Sequence, residues 1–151
     1  KFGEMGMRVA ADPDGIWAAA PRRPIAADVS TLPYPGLATD VKPLLVAVLS
    51  VAEGTGIVSE NLFSGRFRYV DELVRMGADI RVDGHHAVVR GREWLSGAPV
   101  RAHDIRAGAA LAIAGLRAEG ETLVTDAGHI ARGYPDFVDK LSGIGARIEE
   151  A

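Results

Sequence analysis

Met76-Gly77-Ala78-Asp79-Ile80 returns as Ile144-Gly145-Ala146-Arg147-Ile148, and a third version, Met5-Gly6-Met7-Arg8-Val9, stands near the start of the sequence. Further matches fall in the same order upstream of the last two copies. Asp40-Val41-Lys42 echoes Asp104-Ile105-Arg106, Ala52-Glu53-Gly54 echoes Ala118-Glu119-Gly120, and Arg66 has its counterpart in Arg132. One match could be accidental. Several in register mean duplication, and self-similarity at a steady offset fixes the architecture before any single element does.

Each copy reads alike. Thr39 or Asp40 is placed to cap a helix whose first N–H groups lack partners, with Pro43 in the first turn. Leu44 to Ala52 is apolar on every face, which predicts a helix buried all round. Its counterpart, Ile105 to Ala118, is rich in Ala and Gly, which lets helices approach closely. A strand is expected over Gly56 to Phe63, then an amphipathic helix from about Tyr69 to Met76, stopped by Gly77. Asp79 to Val82 and Ala87 to Arg90 read as a hairpin turning at Asp83-Gly84.

These patterns divide the chain into the tail of one unit over 1–20, a second unit over 37–92 and a third, truncated, over 95–151. The tail itself reads as two short strands, Met7 to Ala10 and Ile16 to Ala19, around a turn at Asp12-Pro13-Asp14-Gly15. Pro21 to Gly36, holding Pro21, Pro24, Pro33 and Pro35, reads as an extended connector between units. Helices apolar all round beside half-polar strands predict an α/β fold with helices inside and sheets outside. The sequence starts within a unit and stops before the return strand its repeat predicts, the pattern of a piece of a larger protein.

The composition narrows the function classes. The 151 residues are 48% hydrophobic and 25% charged, an ordinary globular mix. Seventeen basic against 20 acidic residues leave a net charge of −3, which argues against a general nucleic-acid or anionic-membrane surface. There is no cysteine, so disulfides, thiolate metal sites and a cysteine nucleophile are absent. Apolar runs fall short of the ~20 residues a membrane span needs, and no signal-peptide pattern is visible. The sequence reads as soluble and cytoplasmic.

Few residues invite chemistry. Asp40 and Asp104 stand at helix starts, where capping is the favoured reading from spacing; the functional reading is a general base, which needs a proton donor within reach. Arg66, Arg106 and Arg132 recur at helix starts or the loops before them, where guanidinium and helix N–H groups together hold phosphate or carboxylate. The bland reading is solvation or a structural ion pair. His85, His86, His103 and His129 lack the spacing and carboxylate company of a zinc site, so no metal is assigned. Gly54-Thr55-Gly56 is too short for a phosphate loop and lacks its Lys.

Longer motifs carry a family resemblance. Pro35-Gly36-Leu37-Ala38-Thr39-Asp40, Ala52-Glu53-Gly54-Thr55-Gly56, Glu60-Asn61-Leu62-Phe63, Arg66-Phe67, Gly84-His85-His86-Ala87 and Leu95-Ser96-Gly97-Ala98 resemble UDP-N-acetylglucosamine enolpyruvyl transferases. So do Asp104-Ile105-Arg106-Ala107 and His129-Ile130-Ala131-Arg132-Gly133-Tyr134. The likeness spans essentially the whole chain and is strongest to the C-terminal part of the actinobacterial type. It implies an inside-out α/β prism of βαβαββ units, with two such domains around a cleft.

The resemblance also implies a reaction: an enolpyruvyl group moves from phosphoenolpyruvate to the sugar 3-hydroxyl and phosphate leaves, the first committed step of peptidoglycan synthesis. Asp40 would take the hydroxyl proton, Leu62 would contact UDP-N-acetylglucosamine through its backbone, and Arg132 would grip phosphoenolpyruvate. Arg66, Asp104 and Arg106 would line the same cleft. No cofactor is implied, and the partner is the N-terminal half of the same enzyme, which carries the remaining catalytic groups. Lys42 stands where the family usually has Gln, and Ala131 where it usually has Asp. Both leave open a transferase for another acceptor, such as shikimate 3-phosphate or a nucleotide, or a non-catalytic module of the same fold.

Overall fold

Gly6, Gly77 and Gly145 all adopt the left-handed conformation, with φ of 79°, 85° and 99° in the computed structural model, which describes residues 1–150. Around each, two hydrogen bonds repeat. Gly6, Gly77 and Gly145 donate to the carbonyls of Gly3, Val74 and Ser142 at 3.0, 2.8 and 2.9 Å. Met7, Ala78 and Ala146 donate to Phe2, Leu73 and Leu141 at 2.9, 3.0 and 3.0 Å. This is one helix-ending motif made three times, satisfying carbonyls that a helix end would otherwise orphan. The duplication read from the sequence is a duplication of structure.

Strands β1 (Arg8–Asp12) and β2 (Gly15–Ala19) form the first hairpin. Then come β3 (Val29–Ser30), α1 (Lys42–Leu49), β4 (Thr55–Ser59), α2 (Val70–Arg75), β5 (Asp79–Asp83) and β6 (His86–Arg90). The third unit holds β7 (Leu95–Ser96), β8 (Pro99–Arg101), α3 (Ile105–Gly115), β9 (Ala118–Glu119) and β10 (Leu123–Thr125). After a 3-10 turn at Ala127–His129 follow α4 (Ile130–Gly133) and α5 (Phe137–Gly143).

The main sheet runs β3-β4-β6-β5, with β3 parallel to β4 and the other pairs antiparallel. Val58, Ala87 and Val89 alternate inward and are fully buried, while Ile57 and Val88 face solvent. Helices α1 and α3 pack on one another behind it. Leu45, Val46, Leu49, Ala107, Ala110 and Leu111 join Leu73 and Met76 of the α2 region in one core. Burying each such leucine contributes about 2 kcal/mol. Helices α1 and α3 are inside with the sheet outside them, as the apolar runs predicted.

Several boundaries differ from the sequence reading. The stretch expected as a connector carries β3, paired with β4, and a parallel bridge from Ile25 to Glu53. Its counterpart pairs identically in two steps, Leu95 with Ala118 and then Val100 with Val124. Pro24 and Pro33 flank the strand and hid it, but both lie outside Val29–Ser30, so their missing N–H groups take no bond from its ladder. The hairpin turn is Gly84-His85, since Asp83 pairs with His86; Gly84, with φ of 54°, takes the left-handed position.

Candidate functional site

Helix α1 begins without a side-chain cap: Val41 is its N-cap, and neither the Thr39 nor the Asp40 side chain bonds its first turn. The capping reading of both residues is therefore corrected. Thr39 Oγ1 instead donates to Glu60 Oε2 at 2.7 Å. Asp40 points across the surface, where Oδ1 accepts from Arg66 Nη1 at 3.2 Å and Arg106 Nη1 at 2.8 Å. Its side chain is 70% exposed, and Oδ2 has no partner among the described residues.

Asp104 does cap. Its Oδ1 accepts from the Arg106 and Ala107 N–H groups at 2.9 and 3.0 Å. It also holds the Arg106 guanidinium, through Nε at 3.1 Å and Nη2 at 3.1 Å. Burial pushes the Asp104 carboxyl up, but the bonds from Arg106 and Ala107 outweigh it and the net shift is downward. For Arg106 burial opposes the charge, while Asp104 and Asp40 raise its affinity for the proton above the ordinary value. One guanidinium thus joins the third unit's cap to the second unit's Asp40.

Arg66 leaves the loop before α2 and lies over the Phe63 ring, 4.1 Å from its centroid. A cavity of about 160 Å³ opens between Arg66 and Arg106, lined also by Thr39, Lys42, Tyr69 and Asp104. The buried Tyr69 hydroxyl finds no partner there, and burial raises its proton affinity, so it remains a donor. Lys42, Arg66, Arg68 and Arg106 outnumber Asp104 on the wall, and Asp40 stands beside it, bonded to Arg66 and Arg106. Such a wall fits an anion beside a group that must lose a proton.

Leu62 is half-buried just outside β4, which ends at Ser59 rather than running to Phe63. Its N–H donates to Glu60 Oε1 at 2.9 Å, so its carbonyl is the backbone group left for a ligand. Arg132 is not brought into the cluster. It lies within α4, exposed, and forms no ion pair among the described residues. Helix α4 is fixed by close approach to α3: a Cβ on Gly133 would lie 2.5 Å from Ile105 Cγ2, and one on Gly108 2.7 Å from Ile130 Cγ1.

Below the cavity lies a pair that spacing did not single out. Lys42 is fully buried, with Nζ 2.7 Å from Glu60 Oε2 and 2.8 Å from the Arg66 carbonyl. Burial lowers the Lys42 ammonium, partly opposed by Glu60. Burial pushes Glu60 up, but bonds from Lys42, Thr39, Thr31 and the Leu62 N–H bring it down to about 2. The sequence marks Lys42 only as standing where the family usually has Gln and Glu60 only as part of Glu60-Asn61-Leu62-Phe63, and neither points to the other. His103 adds a weaker contact, Nε2 3.6 Å from Glu72 Oε1. Among the described residues no three His, Asp or Glu side chains gather as a metal site, and no helix is long and apolar enough to cross a membrane.

The inside-out repeat gathers Arg66 and Arg106 around one exposed carboxylate, an arrangement whose chemistry suits anions. The family model of EPSP synthase (3-phosphoshikimate 1-carboxyvinyltransferase) matches residues 1–141, and the chain belongs to that family. It is 50% identical over 99% of its length to a UDP-N-acetylglucosamine 1-carboxyvinyltransferase of Nocardia farcinica, of which it covers 35%. With the enzyme of the same name from Mycobacterium leprae it shares 52% identity, covering 36% of that protein. The chain thus spans about a third of these relatives. Among solved structures, the enolpyruvyl transferase NikO from Streptomyces tendae is similar over 98% of this chain and 34% of its own, at 30% identity and a TM-score of 0.87. An EPSP synthase from Acinetobacter baumannii, at 21% identity, shares the fold with a TM-score of 0.72 over 99% of this chain and 36% of its own.

Proposed function

We propose that the chain supplies the C-terminal part of the active site of an enolpyruvyl transferase acting on UDP-N-acetylglucosamine. The observation that carries the reading is Asp40, held by Arg66 and Arg106 through one oxygen while the other faces open space. In this reading Asp40 Oδ2 takes the proton from the sugar 3-hydroxyl. The freed oxygen bonds to C2 of phosphoenolpyruvate while the C2=C3 electron pair takes a proton at C3; C3 then gives up a proton, the double bond re-forms, the bond from C2 to the phosphate oxygen breaks, and inorganic phosphate leaves with the enolpyruvyl ether formed. Arg66 and Arg106 offset the charge of the two anionic substrates, and Arg132 reaches them from α4 when the missing half closes over the site. The Leu62 carbonyl accepts from the nucleotide sugar. The names of the relatives support this acceptor, and with it a cytoplasmic step of peptidoglycan synthesis.

A second reading, another acceptor, has Lys42 and Ala131 in its favour. Phosphate release by the full-length protein with phosphoenolpyruvate decides between them. Turnover is expected with UDP-N-acetylglucosamine and not with shikimate 3-phosphate, and the reverse would overturn the reading. The 151-residue chain alone should release no phosphate, because part of the site lies in the N-terminal half.

A further inference from the structure

Glu60 accepts five hydrogen bonds from four segments. Oε1 takes Thr31 Oγ1 at 2.7 Å and the Leu62 and Phe63 N–H groups at 2.9 and 3.2 Å. Oε2 takes Thr39 Oγ1 and Lys42 Nζ, each at 2.7 Å. Lys42 in turn donates to the Arg66 carbonyl, and its Nζ lies 4.1 Å from the Phe67 ring centroid. The loop 61–66 is therefore gripped at both ends by one ion pair, at its start through N–H groups and at its end through a carbonyl.

The fold does not demand this pair. By the internal repeat, Lys42 corresponds to Arg106 and Glu60 to Asp126. In the third unit neither counterpart is buried as a pair: Arg106 faces the site, and Asp126 bonds Arg101 at the surface, 2.6 Å away. There the backbone takes another path, through Asp126 at φ 57°, a 3-10 turn and α4, so the buried pair goes with the non-helical loop 61–66 and not with the repeat as such. A buried ion pair is also a poor route to stability, since well-packed apolar residues of similar volume do as well or better.

We propose that Lys42 and Glu60 are a positioning pair that sets the loop 61–66, and through it the Leu62 carbonyl and the Arg66 guanidinium, for the acceptor. This rests on the enolpyruvyl-transferase reading for its consequence in catalysis, but not for its consequence in the loop. Asn61, Leu62 and Arg66 are then placed before the acceptor arrives rather than ordered by it, and pre-organisation of this kind is read in affinity.

The test uses the full-length protein with Lys42→Met, which keeps the volume and removes the donors, and Lys42→Gln, which keeps a donor without charge. Lys42→Met is expected to speed amide exchange at Leu62 and Phe63 and to raise KM for UDP-N-acetylglucosamine about tenfold, with a smaller fall in kcat. Lys42→Gln should recover most of both. A folded Lys42→Met protein with exchange and KM within about twofold of wild type would overturn the proposal, as would Lys42→Gln and Lys42→Met behaving alike. If Lys42→Met does not fold, Glu60→Gln is read the same way, and a pair whose every variant unfolds is structural only, which also overturns it. Wild-type protein inactive on UDP-N-acetylglucosamine would sink the functional reading instead, leaving the exchange comparison to decide the loop.

Discussion

Asp40 and Arg106 stand 66 positions apart in sequence, yet Arg106 Nη1 lies 2.8 Å from Asp40 Oδ1, on the same oxygen that Arg66 reaches at 3.2 Å. The contact joins two successive units of the repeat at the surface both share. If Asp40 is the base, Asp40→Asn in the full-length protein keeps the size and an acceptor for both arginines but loses the proton sink. Turnover should fall about 10²–10⁴-fold, the usual worth of a positioned acid or base, with little change in melting temperature. Turnover within a few-fold of wild type would remove Asp40 from that role.

Asp104 performs two tasks that variants can separate. Asp104→Asn retains the acceptor that caps α3 and weakens the charge-assisted grip on Arg106; Asp104→Ala loses both. The alanine variant should be less stable by about 1 kcal/mol, within the usual range for a lost cap, and the asparagine variant by much less. Both should weaken phosphoenolpyruvate binding, because Arg106 is held less firmly in the asparagine variant and by Asp40 alone in the alanine variant. Denaturant unfolding and a phosphoenolpyruvate titration read the two effects independently.

What was legible in the sequence was local. Gly77 ends its helix because the bonds that require it span five residues, and Asp104 caps because its partners are the N–H groups two and three residues on. The apolar faces of α1 and α3 follow from periodicity. What was hidden depends on distant contacts. Asp40 reads as a cap until Arg66 and Arg106 draw it outward, and β3 is two residues long among prolines, too short for any pattern. Lys42 and Glu60 are ordinarily surface residues, so only the folded core reveals that each is the other's partner. Arg132 was legible as a repeat counterpart of Arg66, but its position on a separate short helix was not.

Gly133 tests whether Arg132 works from α4. A methyl group there would meet Ile105 Cγ2 at 2.5 Å, so Gly133→Ala must push α4 away from α3. Overpacking of this kind costs about 1–3 kcal/mol. If Arg132 is carried to the substrates by α4, phosphoenolpyruvate KM should rise in Gly133→Ala. The double variant with Arg132→Ala should then be little worse than Arg132→Ala alone. Additive losses would show that α4 placement and Arg132 act separately.

Glu60 gives a prediction for acid. Its carboxyl sits near 2 in the folded protein against an ordinary 4.5, so between those values the unfolded chain binds the proton and the folded protein does not. Stability from this group is therefore complete above about pH 4.5 and lost as pH falls toward 2, an upper bound of about 3 kcal/mol. The Asp104 shift acts in the same direction and must be subtracted. The Lys42 shift acts near 10.5, far from this window. Thermal midpoints of the full-length protein and its Glu60→Gln variant, compared from about pH 6 to about pH 3, isolate the group. The wild-type advantage should shrink steadily through the window, whereas a gap independent of pH would mean that Glu60 is not held ionised by its five donors.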